Sequence, residues 1–358
     1  MSFASLKGQC SAIGYLKASL ESGRISHAYI FSGADGVGKR IAALNFAKAL
    51  NCDNVKSGEP CDQCLSCKKI DSSKHPDICV LSPKDEGDAI KTLRYAQGLY
   101  PERPSAKAQG SPEFIEGRSR GIKIEHVRAI IKDMYLKPFE AKKKVYIIEA
   151  AQDLKHEAAN ALLKTLEEPP ADSNIILLTE NIKALLHTIV SRSQVVKFFP
   201  LKMKEAQDIL VKEYSLAEDD AHILSHLSGG RLGLALKLKD GDVLTKRDLL
   251  INKISSGLKD DFDFDDIPKN DARICLDMML AWYRDILNLK AGAEDYMLVN
   301  VDKKDIISNK AKTLSFDYLE DVINNIISTA AYIDKNANQK LAMSVLGMNI
   351  KQVGVCTK

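Results

Sequence analysis

The sequence has almost no charge of one sign to spare. Across 358 residues, 51 lysines and arginines stand against 48 aspartates and glutamates, a formal net charge of +3. So small an excess exerts no bulk pull on nucleic acid, although a basic face can still exist locally. No stretch approaches the roughly 20 apolar residues that span a bilayer, which argues against a membrane protein. The opening "MSFASLKGQCSAIGYLK" lacks the apolar core of a signal peptide, so a cytoplasmic location is the expectation. The seven histidines show no H-E-x-x-H spacing and accompany no nucleophile motif, which removes the common hydrolase sites. Neither a repeat of fixed period nor a long low-complexity segment is present. What remains, 45% hydrophobic and 28% charged, is the composition of an ordinary globular chain with room for two or three domains.

Against this plain background, "FSGADGVGKR" (31–40) stands out. It satisfies the phosphate-loop pattern G-x-x-x-x-G-K-[ST] through Gly33, Gly38 and Lys39, with Gly36 between them, and then fails it. Arg40 stands where a small hydroxyl residue would ligate Mg²⁺. The context fits a true phosphate loop: "HAYIFSG" (27–33) is β-rich and "RIAALNFAKAL" (40–50) has helical spacing. Backbone N–H groups and Lys39 can cradle phosphates there. An arginine cannot ligate Mg²⁺ and competes with it for negative charge. Three outcomes stay open: a retained fold element with an empty pocket, nucleotide (ATP or ADP) binding without turnover, and turnover itself.

Further β-like runs at 144–150, 174–179 and 194–199 alternate with helical patterns, among them "HEAANALLKTLEEPP" (156–170), stopped by Pro169 and Pro170. Buried-looking strands alternating with helices predict an α/β fold with a parallel sheet. After Pro200 the pattern becomes helical. Residues 201–240 hold two short helices broken at Gly229-Gly230, and 243–350 read as an all-helical bundle with Trp282 in a helix core. The expected organisation is an α/β domain over 1–199, a small helical domain over 200–242 and a helical bundle over 243–358. Residues 83–120 interrupt the first domain with a Pro-, Gly- and charge-rich segment, expected to be a mobile insertion; its "IEGR" (115–118) is either native or an engineered scar. "EAKKKV" (140–145) reads as a solvated turn and "KDDFDFDD" (259–266) as an acidic linker.

Four of the eight cysteines, Cys52, Cys61, Cys64 and Cys67, follow the spacing C-x8-C-x2-C-x2-C. In a reducing compartment such crowding reads as metal ligation. Two-residue spacers let a tight turn present successive sulfurs to a tetrahedral ion, and four thiolates close the shell. A structural zinc is the leading expectation, with an Fe–S cluster or merely buried thiols as alternatives. Cys10, Cys79, Cys275 and Cys356 fall outside the spacing and read as ordinary thiols.

Taken together, "GQCSAIGYLKASLESGRISHAYIFSGADGVGKR", the cysteine cluster, "HPDICVLSP", "IKIEHVRAIIKDM", "HEAANALLKTLEEPP" and "IVSRSQVVKF" resemble the bacterial DNA polymerase III clamp-loader subunits over residues 8–235. These are AAA+ proteins with a zinc module inserted after the phosphate loop. The resemblance implies an AAA+ sheet, a helical lid, and a C-terminal collar through which gamma/tau and delta subunits join a ring that loads a sliding clamp on primed DNA. Within the family the chain is most similar to the delta-prime branch rather than the hydrolysing gamma/tau branch, for chemical reasons. A motor needs a loop hydroxyl, an acid for the metal and a second carboxylate for water. Here Arg40 replaces the hydroxyl, and "VYIIEAAQ" offers Glu149 but places Ala150 where the activating carboxylate belongs. "LSGGRLGLAL" puts Gly233 at the second sensor position, or Arg231 in a shifted register, and "LLTEN" gives no clear first sensor.

The resemblance also gives Arg192, in "TIVSRSQVVKF", the role of an arginine finger for ATP on a neighbouring subunit. A guanidinium suits this work because its charge is permanent and its planar fork bridges two phosphate oxygens. Ser193 follows where the family has cysteine, and the chemistry lies in the arginine. From position alone Arg192 reads equally as a helix-terminal arginine favoured by the dipole or paired to a surface acid. Competing readings of the whole chain are a hydrolysing gamma/tau-type subunit, another AAA+ protein such as a helicase loader, and a free-standing zinc protein that binds nucleic acid.

Overall fold

The computed structural model describes residues 2–83, 122–255, 272–294, 297–335 and 337–355, with side chains described as far as residue 350. Residues 84–120 of the expected insertion, the stretch 259–266 and Cys356 lie outside the described residues. The chain divides into two compact units, 1–200 and 201–358.

The first unit is built on a five-stranded parallel sheet in the order β2-β3-β4-β1-β5. Its strands are β1 (Ala28–Ser32), β2 (Ile78–Leu81), β3 (Lys144–Ile148), β4 (Ser173–Thr179) and β5 (Gln194–Lys197). The central strands are apolar on both faces, because helices cover both sides of a parallel sheet. Alternate residues feed separate cores. Tyr29, Phe31, Val145 and Ile147 pack on one side with Phe46 of helix α2 (Lys39–Asn51). Ile30, Tyr146, Ile148 and Leu177 pack on the other side with Leu162 and Leu166 of helix α5 (His156–Glu167). Helices α1 (Cys10–Glu21), α3 (Leu65–Asp71), α4 (Ile124–Met134) and α6 (His187–Ser191) complete the unit.

Strand β2 is absent from the sequence expectation. It has only four residues at the sheet edge, with every second side chain buried, and four residues carry little periodic signal. In the run 140–145, residues 140–143 form the expected exposed or half-exposed turn, and Lys144, where the turn and strand expectations overlap, falls to the buried strand. Lys144 is 4% exposed, and its ammonium lies 3.1 Å from Asp133 Oδ2 and 2.9 Å from the Asp133 carbonyl. The Tyr146 hydroxyl donates to the same carboxylate at 2.5 Å. A lysine can start a buried strand here because an equally buried acid neutralises it.

The second unit holds α7 (Met203–Tyr214), α8 (Glu218–Leu227), α9 (Leu232–Asp240), α10 (Val243–Ser255), α11 (Ala272–Lys290), α12 (Lys304–Thr313), α13 (Phe316–Asp334) and α14 (Gln339–Val355). Residues 201–240 thus carry three helices rather than the two expected. The glycine break lies between α8 and α9. Gly230 has φ +74°, and a Cβ there would sit 2.0 Å from the Leu201 carbonyl oxygen, so no other residue fits. One hydrophobic cluster runs from Leu210 to Ile350, with Trp282 at 1% exposure inside it. No helix among the described residues is long and apolar enough to cross a membrane.

Candidate functional site

Strand β1 delivers the chain into the glycine loop, and α2 begins at Lys39. Gly36 and Gly38 have φ of +82° and +97°, the left-handed region that glycine enters without strain. Gly33 is required by space: a Cβ on it would lie 2.4 Å from the Phe198 carbonyl oxygen. Lys39 is 9% exposed, and its ammonium donates to the carbonyls of Gly33 (2.5 Å) and Ala34 (2.7 Å). Burial lowers its pKa, opposed by the charges of Glu180 and Asp35.

Arg40, the second residue of α2, sends Nε to within 3.1 Å of Glu149 Oε1. Glu149 follows the last residue of β3, and its side chain is only 18% exposed. Ala150 comes next in a left-handed conformation (φ +47°) and offers no group that could accept a proton from water. The structure therefore brings Gly33, Gly36, Gly38, Lys39, Arg40 and Glu149 together, with the acid held by a guanidinium. The sequence reading missed a neighbouring polar pair, in which Thr179 Oγ1 donates to Gln152 Oε1 at 2.9 Å. The Thr179 carbonyl in turn accepts from the Gly33 N–H at 3.1 Å. Arg231 and Gly233 belong to the second unit, where Arg231 Nε donates to the Ser228 carbonyl at 2.6 Å.

At the other end of α2, about 20 Å away by helix rise, Cys52 follows the last helical residue. Cys64 caps α3 and Cys67 lies within it. The sulfurs of Cys52, Cys61, Cys64 and Cys67 all lie within 4.8 Å of one another. Sulfurs bound at about 2.3 Å to one tetrahedral zinc would be about 3.8 Å apart, so the set fits a single ion. Backbone N–H groups already point at the sulfurs: Asn54 (3.4 Å) and Cys61 (3.3 Å) at Cys52, and Cys64 (3.3 Å) at Cys61. The Cys64 and Gln63 N–H groups lower the Cys61 thiol to about 6, whereas burial pushes Cys52 and Cys67 up. A cation is what would let the two buried sulfurs ionise together.

The cluster is tied to α2 by a residue absent from the sequence expectation. Lys48 is fully buried, with Nζ 2.5 Å from Asp62 and 3.0 Å from Asp71. A lysine within an ordinary helical pattern gives no hint that its partners lie on the cysteine module. Cys79 is buried in β2 outside the cluster, and burial pushes its thiol up to about 12.

Arg192 caps the C-terminus of α6, just before β5. Its Nη1 donates to the Thr188 carbonyl at 3.1 Å, and its Nη2 lies 2.9 Å from Glu167 Oε1 at the end of α5. The guanidinium is therefore held at a helix end and remains partly exposed.

Known proteins share sequence with both units of this chain. The family described as "DNA polymerase III, delta subunit" matches residues 8–202, and its "C terminal" counterpart matches residues 266–350. The DNA polymerase III subunit delta' of Bacillus subtilis is 32% identical over 292 residues, covering 78% of this chain and 77% of that one. The subunit tau of the same organism is 31% identical over 265 residues, covering 70% of this chain and 40% of tau. With the first family spanning more than half of its length, the chain belongs to the DNA polymerase III delta-subunit family and is a homologue of the delta' subunit.

Proposed function

We infer that the chain is a largely non-hydrolysing, stator-like subunit of a clamp loader. It joins gamma/tau and delta subunits in a ring, in the cytoplasm, and takes part in placing a sliding clamp on primed DNA. The observation that carries this reading is the pairing of Arg40 with Glu149. The residue that should ligate Mg²⁺ instead neutralises the acid that should help hold it, and Ala150 leaves water without a base. The similarity to tau argues for a hydrolysing subunit, but this chemistry weighs against it.

In this reading Arg192 crosses a subunit interface to the γ-phosphate of ATP bound on a neighbour, where its charge stabilises the transferring phosphoryl group. Zinc held by Cys52, Cys61, Cys64 and Cys67 is structural, with no open coordination position. Residues 200–242 act as the lid and 243–358 as the collar. The collar assignment is supported by α14, which exposes Leu341 (64%), Val345 (45%) and Met348 (62%) on one stripe while Met343, Leu346 and Ile350 are buried. Such an unpaired apolar seam suits packing between subunits. The test is reconstitution with the partner subunits. Arg192→Ala should fold normally yet slow the ring's ATP turnover and clamp loading; a ring unaffected by the change would remove Arg192 from the mechanism, and steady ATP turnover by the purified chain, lost on Lys39→Ala, would remove the non-hydrolysing reading.

A further inference from the structure

The geometry of the glycine loop points to more than a lost activity. We propose that Arg40 acts as an internal replacement for the divalent cation, a lock that keeps Mg²⁺-nucleotide out of the loop and that one substitution can open. This rests on the reading of the loop as non-hydrolysing and goes beyond it, because it assigns the exclusion to a single residue rather than to general decay of the site.

The loop keeps what a phosphate requires of the backbone. Gly33 clears the Phe198 carbonyl, Gly36 and Gly38 take the left-handed turns, and a helix of 13 residues starts at Lys39. What differs is the fate of its charges. The Arg40 guanidinium lies 3.1 Å from Glu149; the acid's side chain is four-fifths buried, whereas the arginine's is 61% exposed, so the pair has a shielded acidic end and a solvent-facing basic end. Arginine does not lose its proton, so the positive charge beside Glu149 is permanent. Mg²⁺ needs oxygen ligands at about 2.1 Å and gives up its waters reluctantly. It would have to displace the guanidinium or sit against it, and like charges at that range repel. Lys39 completes the arrangement by turning its ammonium back onto the Gly33 and Ala34 carbonyls. The two cations and the acid that would meet a metal-nucleotide complex are thus each paired within the chain, with Arg40 at the solvent-facing side. A triphosphate arriving without its metal would carry its full negative charge past Glu149; one arriving with the metal would meet Arg40.

Threonine at position 40 would remove the guanidinium from beside Glu149 and supply the missing hydroxyl at once. The experiment measures binding of a fluorescent ATP analogue to the purified full-length chain, with Mg²⁺ present or omitted. Chelators are avoided because they would also strip the cysteine cluster. For the unaltered chain, adding Mg²⁺ is expected to leave binding unchanged. For Arg40→Thr, Mg²⁺ should tighten binding at least ten-fold, and the gain should vanish in the Arg40→Thr, Lys39→Ala double variant, which locates it at the loop. Cysteine-bound metal and melting temperature establish that each variant is folded. A folded Arg40→Thr chain with no Mg²⁺-dependent binding would overturn the lock. An unaltered chain that already binds Mg²⁺-ATP as tightly as Arg40→Thr would do the same. Both results are read from binding, whereas the non-hydrolysing reading fails only on ATP turnover by the purified chain, so the two proposals fail separately.

Discussion

Arg192 and Glu167 join the ends of two helices: the guanidinium at the C-terminus of α6 lies 2.9 Å from the carboxylate at the end of α5. Both side chains are more than a third exposed, and exposed pairs of this kind contribute at most about 1 kcal/mol. The contact therefore orients Arg192 without committing it. In the proposed ring, a triphosphate on a neighbour would offer the same fork a denser negative charge. Arg192→Ala should change unfolding free energy by less than about 1 kcal/mol while slowing hydrolysis at the nucleotide it serves by about 10³-fold. Glu167→Gln should leave turnover intact. If Glu167→Gln abolished turnover as thoroughly as Arg192→Ala, the two residues would form a structural clasp and the finger assignment would be lost.

The cysteine cluster should hold one zinc per chain. Cobalt exchanged into it should give the absorption of tetrahedral thiolate coordination, a signature that an Fe–S cluster would not produce. Cys61→Ser or Cys67→Ser should lower metal content and melting temperature together, at roughly 2–4 °C per kcal/mol for a unit of this size. Chain purified without metal, and melting at the same temperature after zinc is added, would contradict a structural role.

Lys48 is the buried clasp between α2 and the cysteine module. Replacing it with methionine keeps most of its volume but leaves Asp62 and Asp71 without their cation. Full burial of such a pair would make the loss about 3–5 kcal/mol. Because Asp62 and Asp71 are 30% and 39% exposed, the expected cost falls to about 1–3 kcal/mol. Faster zinc release should accompany it, since Asp62 sits between Cys61 and Cys64. Urea unfolding and metal-transfer rates check both; unchanged metal release would confine Lys48 to the packing of α2.

The second unit should weaken in mild acid. His226 of α8 stacks on His222 with ring centroids 4.1 Å apart, and the buried Asp285 of α11 faces it. Burial pushes His226 below its ordinary 6.5; the His222 carbonyl and Asp285 pull the other way, and a charged His222 adds to the depression. A depressed folded-state pKa contributes stability that is present above the unfolded value and lost as pH falls through the folded one. Unfolding of this unit, followed by the fluorescence of Trp282, the sole tryptophan, should therefore become easier as pH drops below 6.5. His226→Gln should flatten that dependence. An identical slope in the variant would assign the acid sensitivity to other groups.

Much of the architecture was legible from residues alone, for identifiable reasons. The runs "AYIF", "KVYIIEA" and "NIILLT" announce buried parallel strands because they are apolar without alternation, and four of the five strands were expected. The edge strand β2 escaped because four half-buried residues carry too little pattern. Lys144 fell in both an expected turn and an expected strand, because a charged residue reads as solvated until its buried partner Asp133 is known.

The same division runs through the site. Chain order by itself determined that the loop lacks a hydroxyl residue after Lys39 and that four cysteines share a metal-ligand spacing, since each follows from the identity of a residue at a counted position; that Ala150 stands where a carboxylate would activate water is what the family resemblance implies. Only the tertiary structure decided where the charges go. Arg40 reaches Glu149 across 109 positions of sequence, Lys48 meets Asp62 and Asp71 on another element, and Arg192 rests against Glu167. A sequence names the charges, but their partners are chosen by distance and burial, and these exist only once the sheet has set its strands side by side.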